Sequence, residues 1–226
     1  TTIRGIAVLR DKHFGDNGPS QHDYLSLVQY INQLNANFIE TAKRFSPALL
    51  IEFLELTGPV HAKLLSDLDP FAKAVFSVAW AGENESYNWF HVAREYTEKY
   101  HHQLQIREAV GKTEALMTAE FYAPFMQTFF LGLPYLLTNH PAPNEAVVAL
   151  EVGGSNGAIC YLQYKNGQWQ ILQDWGSIDL YAKTVIPADI AWKLFTKGVS
   201  PMEIMPLVTL EGNPILAAQM LNLIAV

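Results

Sequence analysis

The stretch WFHVAREYTEKYHHQLQIREAVG, residues 89–111, decides how the rest of the sequence is interpreted. Its apolar residues recur with the period of an α-helix, and Gly111 has the position of a C-cap glycine, so we predict one helix of about six turns. One stripe of this helix carries four residues that could bind a metal: His91, Glu95, Glu98 and His102. The opposite face is mainly aromatic and carries Trp89, Val92, Tyr96, Tyr100 and Leu104.

Two interpretations of the polar stripe remain open. In the first, the stripe faces water and Glu95 forms an i,i+4 ion pair with Lys99. In the second, Glu98 and His102 bind one divalent cation from adjacent turns, as side chains at i and i+4 can. The E-x-x-x-H spacing does not decide between them, because it also arises by chance.

Two neighbours of the stripe have their own alternatives. His101 is turned about 100° from His102 around the helix, so we expect it to face a neighbouring helix or solvent. Gln105 continues the stripe by one turn, where it would either hydrogen-bond a metal ligand or lie on the surface.

Charge and composition argue against several classes of partner. The 226 residues carry a net charge of −7, which disfavours nucleic acid and anionic membranes as main partners. No apolar run is long enough to span a bilayer, and no signal-like segment opens the sequence. Cys160 is the only cysteine and lies in a strand-like run, so we expect a buried structural thiol in a cytoplasmic protein.

The first 138 residues have a helical pattern. Residues 1–15 begin inside a helical repeat, so we expect a first helix that is cut at its start. Further helices are predicted over 22–45, over 47–65 with a kink or a brief interruption at Gly58-Pro59, and over 113–138 with a late break. Residues 66–85 form a connection long enough to suggest a functional loop. It contains Trp80, which would line a pocket or belong to the core.

The pattern changes at the Pro-rich segment 139–143, which we interpret as a linker. Strands are predicted over 146–152, 158–164, 168–173 and 180–185. The turns between the first three strands are at 153–157 and at Asn166-Gly167. Helices are predicted to begin at Pro187 and Pro214, and Gly212-Asn213 is interpreted as a turn. The predicted fold class is therefore α+β: a helical domain over 1–138, then a small antiparallel sheet flanked by helices over 144–226.

Several segments resemble one family. REYTEKYHHQLQIREAVGK at 94–112 is similar to the metal-binding helix of the DinB/YfiT-like helical-bundle proteins, in particular the thiol-dependent maleylpyruvate isomerase group. FSVAWAGENESYNWF at 76–90 resembles the loop before that helix. The tail resembles the family's sterol-carrier-like C-terminal domain through EVGGSNGAICYL at 151–162, IPADIAWKLFTKG at 186–198 and TLEGNPILAAQMLNLIAV at 209–226.

The resemblance implies an up-down four-helix bundle with a metal held by three ligands. Glu98 and His102 match the family's Glu/His pair, whereas its first His would fall upstream of Thr1. His61, on another helix, is one replacement; His91 and Glu95 are less suitable, because they lie one and two turns away. Trp80 and Gln105 would lie in the pocket or behind the ligands.

The resemblance also implies a function. A divalent metal, zinc or nickel, would activate a low-molecular-weight thiol such as mycothiol or bacillithiol for isomerisation of, or transfer to, a small electrophile. Two alternatives are left open. One is a non-catalytic protein that binds a small ligand, either as a single chain or as a homodimer. The other is an orphan DinB-like protein without that activity.

Overall fold

A computed structural model describes residues 2–13, 24–154, 157–173 and 179–225, with side chains omitted for 24–28. Three expected features lie outside these residues: a loop that composition predicts over 15–19, the start of the helix predicted from His22, and Ser155-Asn156 of the first predicted turn. Contacts divide the chain into two units, Thr1–Ala72 and Lys73–Val226.

The first unit is helical. It contains α1 (Thr2–Leu9), α2 (Tyr24–Ala42) and α3 (Pro47–Ser66). Ser46 caps α3 by accepting a hydrogen bond from the Leu49 amide at 3.2 Å, and Pro47 occupies the first turn, where its missing N–H is not needed. The helix α3 is continuous through Pro59, and the kink predicted at Gly58-Pro59 stays a prediction.

A close approach joins α1 to α3. A Cβ atom built on Gly5 would lie 2.1 Å from Nε2 of His61, so only glycine lets the two helices pack at this distance. His61 itself is buried.

The second unit begins with helices. A 3₁₀ turn at Ala79–Ala81 precedes α4 (Asn88–Ala109), and α5 (Ala119–Phe130) and α6 (Leu133–Leu136) follow. α4 matches the helix predicted over 89–111, and Gly111 has φ +65°, as expected of a C-terminal glycine. The helix predicted over 113–138 is instead α5 and α6, divided at Leu131-Gly132, with Pro134 in the first turn of α6.

Five strands in the described residues form one sheet: β1 (Val147–Gly153), β2 (Ala158–Lys165), β3 (Gln168–Ile171), β4 (Ala182–Pro187) and β5 (Thr209–Gly212). Their order is β3-β2-β1-β4-β5. The predicted antiparallel sheet is wrong at one place, because β1 and β4 pair in parallel. A period of two is the same for parallel and antiparallel strands. The chain between β1 and β4, which includes β2 and β3, is long enough for a parallel crossover.

Other parts of the strand prediction need smaller changes. Asn166 and Gly167 have φ +53° and +81°, as a two-residue hairpin turn between β2 and β3 requires, so this turn is confirmed. β5 was not predicted. The expected turn at Gly212-Asn213 is where β5 ends and where Asn213 caps α9 (Pro214–Gln219).

Helices α7 (Ala188–Phe195), α8 (Pro201–Ile204) and α9 complete the unit, with 3₁₀ turns at Met205–Leu207 and Met220–Asn222. One face of β1, with Val148, Leu150 and Val152, joins the aromatic residues of α5 in a single core. The alternate residues Val147 and Ala149 face a smaller cluster around Tyr161.

Helices α4 and α5 share this core with the sheet. The Tyr122 hydroxyl on α5 donates to the carbonyl of Ala188 at 2.6 Å, and Trp169 on β3 donates to the carbonyl of His140 at 2.9 Å. The segment 139–143 therefore lies within the second unit. A four-helix bundle is not confirmed, and the boundaries 1–138 and 144–226 stay a prediction.

Candidate metal centre

One face of α4 is held in the hydrophobic core. Phe90, Tyr100 and Leu104 are buried, and the ring of Tyr100 lies 4.4 Å from that of Phe125 on α5, centroid to centroid. This fixes the rotation of the helix about its axis, because aromatic burial is its largest apolar contribution. It therefore also fixes the positions of the polar side chains on its other faces.

Three of those polar side chains form a cluster: Glu98, His101 and His102. One potential ligand atom from each lies within 4.8 Å of the others. Glu98 is half-buried, His101 is buried and His102 is exposed. Nitrogen and oxygen ligands at 2.0–2.2 Å around one cation lie roughly 3–4 Å apart, so small side-chain rotations would close the cluster around an ion.

Hydrogen bonds orient both imidazoles. Nδ1 of His101 lies 3.1 Å from the carbonyl oxygen of Thr97, and Nδ1 of His102 lies 2.9 Å from Oε1 of Gln105. These oxygens only accept, so each Nδ1 carries the proton and donates it. When such a ring is neutral, its Nε2 atom carries the lone pair. A histidine that binds a metal through Nε2 has the same arrangement.

Without a cation, Glu98 and His102 attract each other. Nε2 of His102 lies 3.6 Å from Oε2 of Glu98, and this interaction is the main cause that raises the pKa of His102. Burial by itself would raise the pKa of Glu98, but the interaction with His102 and the charge of His101 outweigh burial and hold that pKa low. Desolvation, followed by the charge of His102, lowers the pKa of His101.

The preceding turn of α4 is occupied by ion pairs. The two carboxylate oxygens of Glu95 lie 3.5 Å from Arg94 and 3.3 Å from Lys99, so the predicted Glu95–Lys99 pair is present. Burial opposes ionisation of Glu95, yet the charges of Arg94 and Lys99 hold its pKa below the ordinary value. Arg94 also donates to Nδ1 of His91 at 2.8 Å. His91 and Glu95 are thus engaged away from the cluster.

The sequence interpretation missed His101. The angle of 100° between His101 and His102 is not the relevant one. Relative to Glu98, His101 is at i+3 and His102 at i+4, so both histidines lie one turn after the carboxylate. The centroids of the two rings are 4.0 Å apart. The E-x-x-H spacing of Glu98 and His101, known from metal-binding helices, was the signal that could have found it.

The remaining predicted site residues have separate positions. Gln105 contacts His102 as described. The indole of Trp80 packs edge-on against Phe90 and Phe129 at 5.7 and 6.4 Å between centroids, which supports its interpretation as a core residue. His61 belongs to the first unit, where it contacts the backbone of α1 at Gly5.

Cys160 is not available as a nucleophile. Its thiol is buried on β2, and desolvation raises its pKa to about 12. Only the thiolate attacks electrophiles, so a native-state thiol reaction would have to use a thiol from outside the chain.

The second unit also has a surface cleft of about 390 Å³. It is lined by the end of α7, the segment leading to α8, and the residues after α9, and most of its side chains are apolar: Leu194, Val199, Leu221, Leu223 and Ile224. Within the described residues, no helix combines the length and the apolar character needed to cross a membrane.

Comparison with known proteins gives structural matches to part of the chain. It is similar to a "UbiJ-SCP2 Ubiquinone synthesis protein" (18% identity, TM-score 0.29, 44% of this chain and 96% of that one). It is also similar to the apo form of sterol carrier protein 2 from Yarrowia lipolytica (14% identity, TM-score 0.31, 46% and 89% of the two chains). Neither family models nor curated proteins match the sequence.

Both matched proteins are described as SCP2 or sterol carrier proteins. Neither concerns the DinB-like or maleylpyruvate isomerase resemblance. TM-scores of this size carry no argument about what the chain does.

Proposed function

We propose that the chain is a metal-dependent protein that uses a low-molecular-weight thiol to isomerise, or to form a thioether with, a small electrophile. The observation that carries this proposal is the Glu98, His101 and His102 cluster, in which one potential ligand atom from each residue lies within 4.8 Å of the others. Two imidazoles and one carboxylate are a ligand set used by catalytic zinc, which keeps a further position open.

The residues present fit such a cation. Glu98 and His102 are the pair that the family resemblance assigns, and His101 gives the cluster a third ligand within the described residues. A His upstream of Thr1 stays a prediction. When bound, a divalent cation such as zinc or nickel lowers the pKa of a coordinated thiol and so supplies a nucleophile at neutral pH.

The chain itself contributes orientation and electrostatics. Thr97 and Gln105 fix the two imidazoles, and the ordering of these rings before binding lowers the entropic cost of holding an ion. The burial of Cys160 keeps the chain's own thiol out of the reaction. An external thiol such as mycothiol or bacillithiol is part of the proposal because the family resemblance implies one. The substrate class is a small molecule with an activated double bond.

Metal content tests the proposal first. We expect elemental analysis after dialysis against zinc or nickel to find about one ion per chain, and much less in Glu98→Gln, His101→Ala and His102→Ala. His140→Ala, outside the cluster, is the matched control for loss of an imidazole. Stoichiometric metal in all variants, or none in the parent protein, would overturn the assigned site.

Activity is the second test. The metal-loaded protein is mixed with a panel of thiols and an unsaturated keto acid, and isomerisation and thioether formation are followed separately by absorbance and mass spectrometry. Turnover that requires both metal and thiol and is lost in His102→Ala supports the proposal. Metal binding without turnover with any thiol contradicts the enzymatic part alone.

The alternative is a non-catalytic protein that binds a small apolar ligand. The cleft of about 390 Å³ favours it, because ligand pockets commonly measure 300–1,000 Å³ and are mostly apolar. Saturable binding of a fluorescent apolar probe, weakened in Leu223→Asp, together with absence of metal would favour this alternative.

A further inference from the structure

A smaller pocket of the second unit lies between α4 and the start of α5. It measures about 180 Å³ and is lined by Tyr96, Lys99, Tyr100, Gln103, Leu116 and Phe121. These residues all belong to the second unit, and they are separate from the metal cluster and from the larger cleft. Three aromatic side chains and a leucine form most of the lining, so the pocket suits an apolar or aromatic group.

Hydrogen bonds hold the aromatic walls in place. The hydroxyl of Tyr96 donates to the carbonyl of Phe121 at 2.7 Å, and the hydroxyl of Tyr100 donates to the carbonyl of Leu116. The two tyrosine rings lie 5.7 Å apart between centroids. Each hydroxyl proton is thus used within the wall, and neither is available to a bound molecule.

The volume of the pocket limits the size of a ligand. Pockets for drug-sized molecules commonly measure about 300–1,000 Å³, whereas an apolar cavity of about 150 Å³ holds benzene. A pocket of about 180 Å³ therefore fits one six-membered ring with a small substituent.

The charges beside the pocket favour an anionic substituent. Lys99 lines the pocket, and its ammonium lies 3.3 Å from the carboxylate of Glu95, which also pairs with Arg94 at 3.5 Å. One carboxylate therefore serves two cations, and these three side chains have a net charge of +1. The Lys99 side chain is 40% exposed, so its ammonium can reach a ligand while its methylene groups stay on the wall.

One acidic residue lies near the same place. Desolvation, followed by the charge of Glu120, raises the pKa of Tyr96, so this carboxylate is close to the tyrosine. Glu120 is not among the residues that line the pocket, whereas Lys99 is. A ligand in the pocket is therefore in contact with the cation and not with the carboxylate.

We propose that this pocket binds a small aromatic carboxylate, with its ring among Tyr96, Tyr100 and Phe121 and its carboxylate at the ammonium of Lys99. Such a molecule combines the two properties that the lining selects, an apolar ring and one negative charge. The site needs no metal ion, so the proposal goes beyond the metal-dependent function and is tested on protein kept in EDTA.

Benzoate is the probe, and saturation-transfer difference NMR on the whole chain measures its binding. We expect saturable binding with a dissociation constant on the order of 1 mM, which ligand efficiency allows for so small a molecule. Benzyl alcohol has the ring without the charge and should bind about fivefold more weakly, since an exposed ion pair contributes little more than this. Phenyltrimethylammonium, with the opposite charge, should not bind.

Two variants test the two parts of the pocket. Lys99→Gln keeps the length of the side chain without its charge, so it should weaken benzoate to the level of benzyl alcohol and leave benzyl alcohol unchanged. Phe121→Ala removes one wall and should weaken both ligands. Lys112→Gln and Phe71→Ala are the matched controls, because both residues are exposed and lie outside the pocket. Circular dichroism verifies that each variant is folded.

Four results would overturn the proposal. The first is a parent protein without saturable benzoate binding. The second is binding of phenyltrimethylammonium as tight as that of benzoate, which would assign a cation site on the aromatic rings. The third is benzoate binding that requires added zinc, which would place the carboxylate on the metal. The fourth is benzoate binding that persists in Phe121→Ala and is lost in Leu223→Asp, which would place the ligand in the larger cleft.

The two halves of the experiment do not depend on each other. If Lys99→Gln unfolds the chain, the comparison of the three ligands on the parent protein decides the charge preference, and Phe121→Ala decides the location.

Discussion

Oε1 of Gln105 lies 2.9 Å from Nδ1 of His102, three residues earlier on α4. This hydrogen bond fixes which nitrogen of His102 carries the proton and therefore which one is left for a cation. Gln105 thus acts on the proposed metal site through His102 rather than by direct contact.

Replacement of Gln105 by leucine is expected to weaken zinc binding by about 10- to 100-fold, because the side chain keeps its bulk but no longer accepts the Nδ1 proton. Competition with a fluorescent zinc chelator measures the affinity. Gln103→Leu, an exposed neighbour on the same helix, should leave it unchanged. Equal affinities in the two variants would show that the hydrogen bond has no role in binding.

Glu95 should make stability sensitive to acid. Its pKa is held low in the folded chain, chiefly by Arg94 and Lys99 against burial, so the ionised carboxylate stabilises the fold above its unfolded pKa of about 4.3. That contribution is lost as the pH falls through the folded value. The free energy of unfolding of Glu95→Gln should therefore be about 1 kcal/mol lower than that of the parent protein at pH 7, and this difference should shrink towards pH 3. Urea unfolding over this range measures it; a constant difference contradicts the assignment.

Cys160 should be unreactive while the chain is folded. With its pKa raised to about 12, only on the order of one thiol in 10⁴ is ionised at pH 8, and the side chain is also buried. A colorimetric disulfide reagent should find no reactive thiol in the native protein and one per chain in guanidinium. Rapid native labelling would mean that this part of β2 opens readily.

Tyr122→Phe tests whether α5 and the sheet fold as one unit. The substitution removes the hydrogen bond to the carbonyl of Ala188, a part-buried acceptor, at a cost of about 1 kcal/mol. Helix content and the fluorescence of Trp169 on β3 should then shift together to lower urea. Tyr135→Phe, 57% exposed, is the control. Separate transitions would support independent domains over 1–138 and 144–226.

Local chemistry made much of this fold predictable. The period of residues 89–111 and the terminal Gly111 define α4, and Asn166-Gly167 defines a hairpin, because each depends on residues within one or two turns of chain. The polar stripe of α4 was predictable for the same reason. Glu95, Glu98 and His102 share a face in any α-helix.

Tertiary pairing was not predictable in this way. The residues of β4 that pair with β1 are 34 positions further along the chain, and neither alternation nor turn residues specify strand direction. β5 is short and exposed at the sheet edge, with too few apolar residues to give a period. His101 was missed because its direction was judged relative to His102 instead of relative to Glu98, one turn earlier on the helix.

The shared core also sets an order of events during synthesis. Phe125 and Leu216 lie in the same buried cluster, yet about 90 residues separate them, and a ribosome needs roughly 5–20 s to add that many. For this interval the aromatic face of α5 has left the exit tunnel without its last partners. The nascent chain therefore presents a strong binding motif for chaperones well before its sheet is complete, and slow codons placed between α5 and β5 should increase its aggregation in the cell.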